Sequence, residues 1–422
     1  MDPSPSIAII GGGPSGLVFA RLLEVNGITD YVVFERDESS TPVPCQQGGT
    51  LDLHSTSGQL ALKRAGLFEK FSKDLARWDA ACLRILNSAG ETVANFSEIG
   101  DRPEIDRLQL RQLLLESIPP QKIRWGHGVS SIEKSADGEN SAHAEECIIR
   151  FVNGNSATGF RLIVGADGAW SKVRPLLTSA SPVYSGKMYI DSALSQDNPS
   201  YSLATELVGK GNTLVLGESK MIAVQQLADA SYRVYIGLVV PEDFYPRSHY
   251  TDSDANARTE AMRSRLLSSN ELFANYALHL KGFIEKAEGP FRPWPLYFMK
   301  PETVGWERSA AAGVTLLGDA AHVSTPFAGE GVNCSMYDAV MLADSIIEHC
   351  GKSARLARVE RSSLETALAA YEKEMFVRGQ KLIRESSENG LKLFAEDTTR
   401  LLEMFRGDDG KEAAGAGDDR RK

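Results

Sequence analysis

The chain has 422 residues, 42% of them hydrophobic and 24% charged, which is the composition of an ordinary globular protein with room for two or three domains and a large core. Its formal net charge is −10 and its basic residues are scattered, which excludes the concentrated positive surface that nucleic acid needs. The five cysteines (45, 82, 147, 334 and 350) stand far apart with no CxxC pair, and the seven histidines form no metal-ligand spacing. Reduced thiols are expected rather than a disulfide framework, and no metal. MDPSPS carries no basic residue, and no apolar run approaches the roughly 20 residues that span a bilayer. A soluble, cytoplasmic protein with no membrane span is expected.

In chain order, residues 6–36 read as strand (SIAII), glycine turn, helix (SGLVFARLLEVNG) and second strand (YVVFE). Asn26-Gly27 stops the helix. A loop rich in Ser, Pro and Gln follows over 38–50, then an amphipathic helix at GQLALKRAGLFEKF and another over 107–118, ended by Pro119-Pro120. Short β-type runs dominate from about 122 to 166, and β-like alternation returns over 183–240 as an inserted sheet. Helices are expected over about 254–285, a strand at VTLL, a long helix over 331–349 and helical periodicity over 362–391. The charged, glycine-rich end reads as a disordered tail, so a chain stopped near Gly407 is expected to keep its function. These runs divide into 1–180 and 291–350 as two parts of a nucleotide domain, 181–290 as a β-sheet domain, 351–405 as C-terminal helices and 406–422 as the tail. The fold class is α/β.

GGGPSG fits GxGxxG between a strand and a helix. Gly11 permits the tight turn, Gly13 lets backbone approach a pyrophosphate, and Gly16 allows helix to pack on strand. The helix N-terminus, starting beside Ser15, offers free N–H groups and about half a positive charge. Glu35, about 20 residues on, stands where a carboxylate can accept from ribose hydroxyls; Arg36 follows it. Dinucleotide binding is expected, and the motif does not separate NAD from FAD.

Two more segments put an aspartate after a buried strand. These are Asp167 in VGADG, and Asp319 in GDAAH, the latter followed by PFAGEGVN. In open α/β sheets that edge is where ligands sit. An aspartate can also simply cap a turn. Three such places in one chain suit one long ligand.

Together GGGPSG, VGADG and GDAAH…PFAGEG resemble the FAD-binding signature of the group A flavoprotein monooxygenases, the aromatic-hydroxylase (PHBH-type) fold, over the chain to about residue 405. Within that family, GGTLDLHSTSGQLALKRAGL (48–67) is most similar to the tetracycline-inactivating monooxygenases, and 103–118 and 165–174 agree. The resemblance implies a Rossmann-like FAD-binding domain with an inserted substrate sheet. It implies that Asp319 holds the ribityl chain, that Arg107 reaches FAD with Arg111 on the same helix face, and that Asp52 approaches the flavin. Surface salt bridging is the alternative for the arginines. Pro326 and the backbone of 327–332, including Gly329, Gly331 and Val332, are then expected to line the isoalloxazine, with Asp167 serving both FAD and a transient NAD(P)H. His322 has two readings, contact with a ligand or simple packing.

The resemblance further implies that NADPH or NADH reduces FAD and leaves, and that a flavin C4a-hydroperoxide passes one oxygen from O₂ to an aromatic or polycyclic small molecule. Hydroxylation is the expected outcome, with epoxidation, Baeyer–Villiger insertion and tetracycline breakdown as alternatives. No catalytic side chain is expected, because the cofactor carries the chemistry. An NAD-dependent dehydrogenase would leave GDAAH…PFAGEG unexplained, and a flavin halogenase would need a WxWxIP-type segment. A flavin-binding scaffold is a third competitor. Two positions depart from the close relatives: Cys45 where they carry arginine, and Glu330 where they carry glutamine. Aligned with the tetracycline enzymes, Asp191 and Thr213 replace a substrate-holding glutamine and arginine. Tetracycline is therefore expected to be a poor substrate. Oligomeric state is left open.

Overall fold

The computed structural model describes residues 5–42, 48–97, 101–134, 142–245, 254–352 and 356–396. Cys45 and the tail from 397 onward lie outside the described residues. The chain forms two compact units, the first from Met1–Ala76, Asp101–Val183 and Tyr297–Ser386, the second from Arg77–Gly100, Tyr184–Leu296 and Ser387–Lys422.

The first unit is built on a five-stranded sheet, with Val314–Leu316, Leu162–Gly165, Ile7–Ile10, Tyr31–Phe34 and Ile123–Arg124 side by side. All four pairings are parallel. IAII, YVVF and LIVG are buried at every position, as strands covered on both faces must be. Pro14 opens the helix Pro14–Val25, where its missing N–H costs nothing. Gly27, at φ 76°, follows its end in the left-handed region. Leu17, Val18, Leu22 and Leu23 of this helix share one core with Met336, Ala339, Val340 and Ala343 of the long helix Gly331–Cys350.

The helix expected over 58–71 is shorter than its periodicity suggests. It stops at Arg64, where Gly66 at φ 70° breaks it, and the chain continues as a short turn of helix at Phe68–Lys70 and a wide turn at Phe71–Leu75. The longer helices are present at Arg107–Glu116 and Arg361–Leu393.

The second unit holds a seven-stranded sheet, ordered Glu288–Phe298, Val183–Leu194, Tyr232–Val239, Lys220–Gln226, Asn212–Gly217, Cys82–Asn87 and Thr92–Ser97. Glu288–Phe298 is an edge strand, which is why it tolerates Pro290, Pro293 and Pro295. One sheet face is apolar: Ile190, Ile222, Val224, Val234 and Ile236 pack with Leu266, Leu280 and Phe283 of the helices Ala255–Ser268 and Leu278–Glu285. Along the opposite face one row runs Asp191, Tyr235, Ala223, Leu214. No helix among the described residues is long and apolar enough to cross a membrane.

Candidate functional site

Register brings the three motifs of the first unit to one edge. Ile10 lies opposite Gly165, and Gly165 opposite Leu316. The turns after these strands therefore emerge side by side. They are also bonded across: Gly11 N–H donates to Phe34 O (2.8 Å), Ala166 N–H to Ile10 O (2.7 Å) and Leu317 N–H to Gly165 O (2.8 Å). Gly11 has φ 108°, and a Cβ there would collide with Ala166 O. A Cβ on Gly16 would strike Gly11 O, so helix and turn sit closer than any side chain permits. At Gly13, in contrast, an added Cβ would meet nothing within 4 Å. Gly13 is the residue immediately before the helix, two positions from the buried Ser15.

Glu35 is buried and closes this turn, its Oε2 accepting from Gly12 N–H (2.6 Å) and its Oε1 from Asp37 N–H (3.0 Å). Arg111 Nε donates to Gly12 O (3.2 Å), and its guanidinium lies 2.9 Å from Asp37 and 3.7 Å from Glu35. With its side chain 15% exposed, Arg111 belongs to the turn rather than to the surface. Arg36 is exposed.

Asp167 satisfies part of the capping reading: its Oδ2 accepts from Lys172 N–H (2.6 Å) in its own turn. Its Oδ1 is buried with no hydrogen-bond partner among the described residues, and burial pushes the carboxyl's pKa up. Arg174, which the sequence reading did not single out, is buried and donates to Ala169 O (2.6 Å) and Ala320 O (2.9 Å). It fastens the second turn to the third. Arg174→Ala leaves two carbonyls short of a donor and is expected to lower the unfolding free energy by about 2–3 kcal/mol, which chemical denaturation measures.

At the third turn, Asp319 is open to water yet has protein around it on most sides, as a carboxylate facing a cleft would. It makes no side-chain hydrogen bond among the described residues. Crowding by protein raises its pKa, with His322 and Arg107 pulling it back down. Arg107 and Asp319 are thus brought together. His322 is packed: its Nε2 lies 2.6 Å from Asp338 Oδ2, while its Nδ1 is buried without a partner.

Asp338, fully buried, also accepts from Gly318 N–H (3.0 Å), and its other oxygen takes Arg378 (2.7 and 3.2 Å). Burial works against its charge, but His322 and Arg378 outweigh it and hold its pKa below the usual carboxylate range. His322, Cys334 and Asp338 are grouped closely enough to ligate a cation, but the guanidinium on Asp338 already takes that place.

The fourth element is a link from the strand Thr50–Asp52 to the entry of the long helix. His54 Nε2 lies 2.8 Å from Asp52 Oδ2 and His54 Nδ1 2.7 Å from Glu330 Oε1. Asn333 Oδ1 accepts from His54 N–H (2.9 Å) and Gly58 N–H (3.2 Å), and its Nδ2 donates to Asp52 O (2.9 Å). Asp52 is therefore drawn to the turn Pro326–Glu330. Pro326 and Gly329 are exposed there, Val332 packs partly on the core, and an added Cβ on Gly331 would meet nothing within 4 Å.

In the second unit, Asp191 and Thr213 are not brought together. Asp191 is buried and its Oδ2 accepts from Arg233 (2.6 Å). Thr213 sits in the row Ser192, Val234, Val224, on the apolar face, and donates to Leu207 O (2.8 Å). The expectation that it holds substrate beside Asp191 is corrected accordingly: successive strand residues point to opposite faces. The cation thought missing there is present as Arg233. Asp191 Oδ1, Arg233 Nε, Arg292 Nε and Trp294 Nε1 are all buried without partners, and Trp294 nears the carboxylate without reaching hydrogen-bond geometry.

The first unit fits an extended dinucleotide. At two helix N-termini, Gly13 and Gly331, an added Cβ would meet open space, and an orphaned acceptor on Asp167 and an unbonded carboxylate on Asp319 stand along the strand ends. The FAD binding domain family matches residues 5–200 and 304–385. Monooxygenase asqM of Emericella nidulans is 30% identical over 441 residues, covering 94% of this chain and 97% of that protein. Among solved structures, Klebsiella pneumoniae HpxO complexed with FAD and uric acid superposes with a TM-score of 0.70 at 20% identity, covering 95% of this chain and 92% of that one. Tetracycline destructase Tet(55) does so at 0.64 and 16%, covering 94% and 92%. The chain belongs to the FAD binding domain family and is an FAD-dependent monooxygenase within it.

Proposed function

We propose that the chain uses NAD(P)H and O₂ to insert one oxygen atom, by hydroxylation, into an aromatic or polycyclic small molecule. The balance is substrate, O₂, NAD(P)H and a proton giving oxygenated substrate, NAD(P)⁺ and water. The observation that carries this reading is the level register of Ile10, Gly165 and Leu316, which lines up three ligand-type turns for one long cofactor.

In this reading the helix at Gly13 receives the pyrophosphate, with Arg111 held ready by Asp37, and Glu35 stands by the adenosine ribose. Asp319 and Arg107 hold the ribityl end. Asp52, Pro326 and the backbone from Gly329 to Val332 flank the ring. Bound there, FAD supplies the redox chemistry, accepting hydride and activating O₂. The chain's part is to position the ring and exclude water.

The polar sheet face of the second unit supports a substrate that carries a donor beside an acceptor. Asp191 Oδ1 can take an O–H or N–H, and Arg233, Arg292 and Trp294 can donate to an oxygen. Purified protein incubated with NAD(P)H, air and a metabolite extract is expected to yield a product heavier by one oxygen. Oxidation of NAD(P)H that no extract component stimulates would contradict the proposal.

A further inference from the structure

We propose that His54 is a positioning residue for the flavin ring: held between Asp52 and Glu330, its imidazolium offsets one of their two negative charges at the turn that faces the ring and locks that turn to the strand Thr50–Asp52. The proposal rests on the reading that residues 326–332 flank the isoalloxazine.

Glu330 is the residue immediately before the helix Gly331–Cys350. A helix N-terminus favours an anion, so a carboxylate here competes with the cofactor for the same field. Reduced flavin carries negative charge, and an unneutralised Glu330 would penalise it more than oxidised flavin. The structure reduces that penalty by geometry, one imidazolium offsetting one of the two carboxylate charges. His54 spends both ring nitrogens on carboxylates, at 2.8 Å to Asp52 and 2.7 Å to Glu330, and is itself buried. A neutral imidazole has one donor, so two such contacts require the protonated ring. Burial opposes this charge, but the bonds from Asp52 and Glu330 outweigh it and lift the pKa to about 9. These two carboxylates are the charged groups that act on the ring. Asn333 fixes the backbone on both sides, accepting from His54 N–H and donating to Asp52 O.

The sign follows. Because the folded pKa is raised above the ordinary 6.5, the imidazolium's contribution is fully present below pH 6.5 and is lost as pH rises through about 9.

The test is the midpoint potential of bound FAD, with the dissociation constant of FAD from the apoprotein, in wild type, His54→Gln, Glu330→Gln and the double variant. His54→Gln is expected to weaken binding of reduced relative to oxidised FAD about tenfold, read as a lower potential. Adding Glu330→Gln should restore the wild-type value within about threefold. Wild type should show a fall in potential beyond the ordinary flavin slope as pH passes about 9, a feature absent from His54→Gln. If His54→Gln does not fold, Glu330→Gln alone decides, with a raised potential and an inflection moved to lower pH. Additive effects in the double variant, or potentials unchanged in both single variants with FAD still bound, would overturn the role of His54 and leave the FAD site standing. Failure of wild-type apoprotein to take up FAD would instead remove the reading beneath it.

Discussion

Asp338→Ala is expected to lower the unfolding free energy by about 3–5 kcal/mol and the melting temperature by about 10 °C. Its carboxylate is fully buried and meets His322, Arg378 and Gly318 N–H at once. Truncation strands a buried imidazole and a partly buried guanidinium and frees the backbone on which the Asp319 turn is hung, so flavin retention falls with stability. The pH dependence has two sides. Asp338 has a depressed pKa, so its contribution is present above the ordinary carboxylate range and is lost as pH falls through the folded value. His322 has a raised one, so its share is present below pH 6.5 and fades as pH rises through its folded value. Melting curves of wild type and Asp338→Asn across pH check this: the acid-side loss should be smaller in the variant. A melting temperature unchanged in Asp338→Ala would mean that the ion pair does not anchor the turn.

Asp319→Ala is expected to weaken flavin binding while sparing the fold. Its carboxylate bonds to no described side chain or backbone group, so removing it leaves no orphan in the protein. A charge-assisted hydrogen bond to the ribityl chain is worth about 1.5–3 kcal/mol, a ten- to hundred-fold loss in FAD affinity. The variant should purify largely colourless while its apoprotein melts with that of wild type. Full flavin occupancy would displace Asp319 from the ribityl end. The two aspartates lie 19 residues apart at the same turn, and loss of fold stability should separate them.

The three turns at the strand ends were legible because their constraints are local. Gly11 and Gly16 are dictated by backbone that lies within the turn or against the next strand, and Asp319 follows its strand directly. What supports them was not legible. Arg378 reaches Asp338 from 40 residues away, and both sit in helices where a charge ordinarily reads as a solvated position. His54 is 276 residues from Glu330, and nothing in the spacing announces the pair. Glu330 stood out as a departure from glutamine, and it shares the imidazole of His54 with Asp52.

Thr213 fails for a different reason. Strand residues alternate, so an alignment loose by one position exchanges the polar face for the core, and it is Leu214 that shares the row of Asp191. Nor did the pattern show that Cys82–Asn87 pairs, in parallel, with Asn212–Gly217. Pairing across so long a separation depends on tertiary packing that short apolar runs do not encode.

The central claim is that the edge formed by the three strand ends holds FAD for oxygenation. Titrating FAD into the apoprotein of wild type and Asp319→Ala, followed by the visible spectrum of the flavin, tests it most directly. Saturable binding with the perturbed absorption bands of a protein-bound flavin, weakened ten- to hundred-fold in the variant, is the predicted result. Wild-type protein that leaves the spectrum of added FAD unchanged would contradict the account.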